Sequence, residues 1–73
     1  MAFVSKENKQ NLIEQLYKYR LENMLTLKQL SDELNLPLTT ISNWFHGKNN
    51  PSDIAAAMLH KFLTDKGYNV TLF

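Results

Sequence analysis

Apolar side chains recur along this chain at the spacing of amphipathic helices. In the first third, they are separated by one, three and four positions after Ser5, a residue that can cap a helix. The pattern predicts a first helix that ends near Asn23. Its apolar positions are Leu12, Ile13, Leu16, Tyr17 and Leu21.

A second helix is predicted to begin after Thr26. In the run TLKQ at residues 26–29, the Thr26 hydroxyl can accept a hydrogen bond from the backbone and Gln29 can reach back, as in a capping box. Asn35 tolerates a left-handed backbone, so we expect a sharp turn there. The apolar stripe between these two points consists of Leu27, Leu30 and Leu34.

Two further helices follow the turn. Pro37 fits the first turn of a third helix, because its missing amide hydrogen costs nothing there, and this helix should run to about His46 and stop at Gly47. After a polar loop that Pro51 closes, Ser52 or Asp53 can cap a fourth helix, which Gly67 ends. The apolar positions of this helix are Ile54, Ala55, Met58, Leu59, Phe62 and Leu63.

The last six residues, 68–73, follow a different pattern. They are rich in strand formers and alternate between apolar and polar side chains as far as Leu72. A lone strand is not stable, and no other segment is predicted to be a strand. We therefore predict an all-α domain of four helices over residues 5–66, followed by a short C-terminal β-strand or arm, with residues 1–73 forming one domain.

The composition excludes several other classes of protein. The 73-residue chain has no cysteine, so neither disulfides nor a cysteine-ligated zinc can stabilise it. A chain of this length buries only about 60% of its unfolded surface, so association would help it. Because His46 and His60 lack a second ligand nearby and no carboxylate cluster is evident, we expect no metal, no cofactor and no enzymatic activity.

The charge is nearly balanced. The net charge is +1, and within residues 26–51 two lysines offset two acidic residues, which is unfavourable for neutralising phosphates. No apolar run approaches the ~20 residues needed to cross a bilayer, and the N-terminus becomes polar too early for a secretory signal. We expect a cytoplasmic protein that does not bind membranes.

Two short helices joined by a tight turn are typical of a helix-turn-helix. The residues that carry a more specific resemblance are Thr26, Ser31, the turn at 35–36, Ile41, Trp44, Gly47, Lys48 and Pro51. Through them, the segment 27–48 resembles the helix-turn-helix of the Cro and phage-repressor (XRE-type) family, and with the outer helices the similarity covers about residues 6–64. The resemblance implies a four-helix, lambda-repressor-like domain in a phage or bacterial transcriptional regulator that binds operator DNA near the host nucleoid.

The third helix has one polar face and one apolar face. With Leu38 at zero and about 100° per residue, Ile41 and Trp44 fall at about −60° and −120°, on the core side. The polar residues fall between about 40° and 140°, and such side chains can hydrogen-bond base edges. In the family this helix lies in the major groove, and its base-reading positions correspond to Leu38, Thr39, Ser42 and Asn43, with His46 on the same face.

The resemblance also implies which residues contact phosphates. In the family these contacts come from the start of the second helix and from the loop after the third. Leu27 replaces the family's usual glutamine, which removes one contact, whereas Ser31 and Asn35 are mild replacements for alanine and glycine. The corresponding residues here are Lys28, Lys48, Asn49 and Asn50.

Leu38 and Phe45 lie within about 20° of each other at the border of the third helix's polar face. Either they extend the core under the fourth helix, or they form an exposed apolar strip suited to another protein. The second alternative favours an antirepressor or antitoxin-like protein, which uses the same fold to bind a partner repressor or toxin.

The C-terminal strand suggests a homodimer. The chain resembles Cro-like and antitoxin-like members that pair such strands across a two-fold axis, where Tyr68, Val70 and Leu72 of each subunit would cover one another. Such a pair would present two reading helices to half-sites about 34 Å apart. A frayed tail is the alternative.

Overall fold

The computed structural model describes residues 4–70, and this part of the chain contains four α-helices. They are α1 (Lys6–Glu22), α2 (Leu27–Leu34), α3 (Leu38–Phe45) and α4 (Asp53–Asp65). Each begins and ends within about two residues of the position that the sequence predicts. Within the described residues, α1 packs against α4 and α3, and α2 packs against α3.

Polar side chains cap three of the helices as expected. The Ser5 hydroxyl accepts from the backbone N–H of Asn8 at 3.1 Å, and Ser52 caps α4 by accepting from Ala55 at 3.2 Å. Thr26 forms the predicted capping box at the start of α2. Pro37, however, occupies the N-cap of α3 rather than its first turn, where its carbonyl accepts the first hydrogen bonds of the helix.

The turn between α2 and α3 depends on a left-handed residue. Asn35 has φ 56° and ψ 43°, as its position after α2 predicts. Immediately after it, the backbone N–H of Leu36 donates to the carbonyl of Ser31 at 3.1 Å, which closes the end of α2. The chain therefore reverses within a few residues, and α3 begins directly beside α2.

All four helices contribute to the core. On α3, Ile41 is 0% exposed and Trp44 is 5% exposed, which confirms that this face of the helix points inward. The other buried members of this core cluster are Val4, Leu12, Leu16, Tyr19, Leu30, Leu34, Ala56, Leu59 and Leu63.

Tyr19 connects three parts of the domain. Its ring packs edge-on against Phe62 at 5.3 Å and against Tyr68 at 5.8 Å, and its hydroxyl donates to a carboxylate oxygen of Glu33 at 2.8 Å. Burial and the bond to Glu33 raise the pKa of Tyr19 to about 12. The hydroxyl therefore keeps its proton at neutral pH and continues to link α1 to α2.

The prediction of a C-terminal strand is wrong over residues 68–70, which have no regular secondary structure. The remaining residues of the predicted strand, including Leu72, lie outside the described part of the chain. Tyr68 instead turns back onto its own domain, where its backbone N–H donates to the carbonyl of Leu63 at 2.8 Å and its hydroxyl donates to Glu22. Val70 also packs against the core. Contacts within the domain thus replace the strand pairing that the alternation suggested.

The left-handed backbone at Asn35 leads to a stability prediction. We expect Asn35→Ala to lower the free energy of unfolding by about 1 kcal/mol, because this conformation costs an ordinary L-residue about 1–2 kcal/mol. Asn35→Gly is the matched control and should leave stability unchanged or higher. Urea unfolding followed by circular dichroism measures both. Equal stabilities for the two variants would contradict the role assigned to this turn.

Candidate nucleic-acid interface

The outer face of α3 carries the polar side chains that the sequence predicts there. Thr39 and His46 are exposed, and Ser42 and Asn43 are half-buried at the flanks of the same face. Leu38, at the start of the helix, is 45% exposed. Because Ile41 and Trp44 hold the opposite face in the core, these side chains form a ridge on the outside of the molecule.

His46 closes the C-terminal end of α3. Its Nδ1 lies 2.7 Å from the carbonyl oxygen of Ser42 and 3.3 Å from the Ser42 hydroxyl. We assign the tautomer in which Nδ1–H donates to the carbonyl, because that oxygen can only accept. Nε2 of this exposed ring is then an acceptor that can meet an amino group of a base.

The loop after α3 presents polar groups beside the ridge. Gly47 has φ 73°, which ends the helix, and the backbone N–H of Lys48 then donates to the carbonyl of Asn43 at 2.9 Å. Lys48, Asn49 and Asn50 are exposed, whereas Pro51 is buried and holds the end of the loop in place. The predicted phosphate-contacting loop is therefore anchored at both ends and open to solvent between them.

The start of α1 shares a groove with this loop, which the sequence does not reveal. The groove, of about 330 Å³, is lined in part by Lys6, Gln10 and Glu14 of α1 and by Gly47 and Asn50 of the loop. Lys6 adds an exposed cation to the region where phosphates are expected, and Glu14 offsets part of its charge. No signal in the sequence indicates this, because Lys6 and Asn50 are far apart along the chain and only the packing of α1 brings them together.

Lys28 lies at the start of α2, as predicted, and its side chain is exposed. Its Nζ is 3.8 Å from a carboxylate oxygen of Asp32, one turn later in the same helix. An exposed pair of this kind contributes little stability. The lysine can therefore exchange this partner for a phosphate, although Asp32 reduces the local positive charge.

Leu38 and Phe45 do not behave alike, although both lie on the border of the α3 face. Leu38 is open to solvent, whereas Phe45 is half-buried and packs edge-on against the ring of Tyr17 on α1, with 5.3 Å between centroids. The sequence left two alternatives, in which both residues extend the core or both form an exposed apolar strip. Neither alternative holds for both residues. Only Leu38 remains a freely exposed apolar contact on the ridge.

Arg20 adds a charge next to this aromatic pair. Its guanidinium carbon lies 5.8 Å from the centroid of the Tyr17 ring, within the range of a cation–π contact. Its Nε is buried, and no hydrogen-bond acceptor in the described residues reaches it. The sequence indicates no role for Arg20, because its aromatic neighbour becomes apparent only after folding.

Within residues 4–70, this arrangement of capped helix, tight left-handed turn and outward polar helix defines a helix-turn-helix domain. A family model described as helix-turn-helix matches residues 16–64. The chain belongs to this family, of the XRE type, which is a family of DNA-binding regulators rather than enzymes. In the same comparisons, no curated protein and no solved structure matches the chain.

None of the helices within residues 4–70 is long and apolar enough to cross a membrane. The same residues contain no group of three or more histidine or acidic side chains placed to hold a metal ion.

Proposed function

We propose that the protein is a sequence-specific transcriptional regulator of the Cro and repressor type, which reads operator DNA in the major groove with α3. It would act as a homodimer on a pseudo-palindromic operator in a bacterial cytoplasm, as a phage or bacterial protein. The observation that supports this most directly is the outward polar ridge of α3, which the buried Ile41 and Trp44 hold in place.

The side chains of the ridge suit base edges. Asn43 can form two hydrogen bonds with adenine, and the hydroxyls of Thr39 and Ser42 can pair with several groups in the groove. The exposed Leu38 can pack against a thymine methyl. These residues would supply the sequence preference, and His46 would add one acceptor at the end of the helix.

Phosphate contacts would be few. Lys28 and Lys48 are the cations predicted to bind phosphates, Asn49 and Asn50 would contribute neutral contacts, and Lys6 joins them through the fold. Neutral hydrogen bonds to phosphate fix the register of the protein on the duplex but release no counterions. Binding should therefore depend only weakly on salt.

Tyr68 and Val70 were expected to contact a second subunit, and both pack against their own domain. Pairing through the C-terminal segment would require Tyr68 to leave Tyr19 and Glu22. This cost favours a dimer surface elsewhere on the domain.

Replacement of Asn43 tests the base-reading role of α3. With an operator selected from a random-sequence DNA library, Asn43→Ala should weaken binding by about 5- to 150-fold per subunit, because a bidentate base contact contributes about 1–3 kcal/mol. Gel-shift titration in low salt measures the change. Asn69→Ala, at an exposed asparagine outside α3, is the matched control. Failure of the library to yield any preferred sequence would overturn the proposal.

Replacement of Lys48 tests the phosphate contacts. If Lys6, Lys28 and Lys48 of each subunit neutralise phosphates, log K should fall with log salt at a slope of about −5 per dimer, and Lys48→Ala should reduce this slope by about 2. Lys61→Ala, an exposed lysine on α4, is the control and should leave the slope unchanged. If Lys48→Ala leaves the slope unchanged, Lys48 does not neutralise a phosphate in the complex.

A second candidate function is supported by the exposure of Leu38 and by the low net charge. In this case the chain is an antirepressor or antitoxin-like protein whose α3 face binds a partner repressor or toxin. The variant Leu38→Asp should then abolish a complex with that partner, and Asn43→Ala should leave it intact. Co-purification of the chain with the product of the adjacent gene measures both. Retention of the complex by Leu38→Asp would exclude this function.

A further inference from the structure

We propose that two copies of this chain pair through the outer face of α1, with the two helices antiparallel. We call this surface the α1 face and define it by Ile13, Tyr17 and Leu21 of α1 together with Phe45 of α3. The proposal deepens the proposed function, because it names the surface through which the regulator becomes a dimer.

The α1 face exposes apolar side chains at a regular spacing. Tyr17 is 45% exposed and Leu21 is 55% exposed, and Ile13 lies four residues before Tyr17. A spacing of four residues advances about 40° around a helix, so these side chains form one continuous stripe. An exposed apolar stripe on a small domain indicates a contact surface.

The stripe includes a hollow as well as a protrusion. Ile13, Glu14, Tyr17 and Phe45 line a mainly apolar depression of about 300 Å³. Leu21 lies one turn further along the same helix and projects into solvent. One copy of α1 therefore carries both an apolar depression and the apolar side chain that can fill it.

An antiparallel pair uses both features at once. With a two-fold axis close to Tyr17, Leu21 of each copy meets the depression of the other. The charges agree with this arrangement: Glu14 and Lys18 are exposed, and the same axis brings Glu14 of each copy next to Lys18 of its partner. An isologous interface requires a patch that is complementary to itself, and the α1 face has this property in both shape and charge.

Pairing would also stabilise a domain as short as this one. A domain of 73 residues buries a small share of its surface, and covering Tyr17 and Leu21 would remove two of its largest exposed apolar side chains from water. A second apolar groove, of about 250 Å³, lies between α2 and α4 and is lined in part by Leu36, Met58 and Phe62. Because Met58 is 51% exposed, it provides a control of the same chemistry on another surface.

The test is the association of the full chain without DNA. Sedimentation equilibrium should show a dimer, and Leu21→Glu should raise its dissociation constant at least about tenfold, because a charge would enter an apolar contact. Met58→Glu should leave the constant unchanged. The proposal is overturned if the wild-type chain is monomeric, if Leu21→Glu dimerises normally, or if only Met58→Glu disrupts the dimer.

If circular dichroism shows that Leu21→Glu does not fold, a charge-exchange experiment tests the same interface. Glu14→Lys should weaken the dimer because it places like charges together, and the double variant Glu14→Lys with Lys18→Glu should restore it. Both positions are exposed, so neither change should disturb the core. Absence of restoration would show that the two side chains do not meet across the axis, which contradicts the antiparallel arrangement.

Failure of this proposal is distinguishable from failure of the proposed function. A chain that prefers an operator but remains monomeric in sedimentation would overturn the α1 interface and leave the DNA-binding function intact. A chain that dimerises through the α1 face but prefers no DNA sequence would overturn the DNA-binding function and leave the α1 interface intact. Asn43→Ala should dimerise like the wild-type chain while losing operator affinity.

Discussion

The burial of Ile41 and Trp44 is the interaction on which the rest of this molecule depends. An eight-residue helix is too short to be stable in isolation, so α3 exists because these two side chains enter the core to which the other three helices also contribute. Each contributes roughly 1.5–3 kcal/mol or more through burial. The same contact sets the rotation of the helix about its axis, and this rotation places Thr39, Asn43 and their neighbours on the outside.

The low net charge of the chain limits how the polar ridge of α3 can bind DNA. With a net charge of +1, the domain has little general attraction for the DNA backbone, so selective binding must come from base contacts and from two subunits acting together. The folded structure compensates in part, because it brings Lys6 to the loop that carries Lys48 and Asn50. Pairing through the α1 face would add the second reading helix without requiring more charge on either subunit.

The C-terminal segment shows how a local pattern can mislead. Alternating apolar and polar residues favoured a strand, but a strand needs a neighbour to satisfy its backbone, and no segment within residues 4–70 supplies one. Tyr68 instead finds the ring of Tyr19 and the carboxylate of Glu22 on α1. The tertiary contacts available within one subunit therefore outweigh the propensity of residues 68–70.

The helices, their caps, the turn at Asn35 and the inward face of α3 can be predicted from the sequence, because each depends on residues a few positions apart whose spacing is visible along the chain. Three other contacts appear only in the folded domain: Phe45 packs against Tyr17, Tyr19 bonds to Glu33, and Lys6 and Asn50 line one groove. These contacts join residues from different helices, and their formation depends on how the helices pack, which local hydrogen bonding and periodicity do not specify.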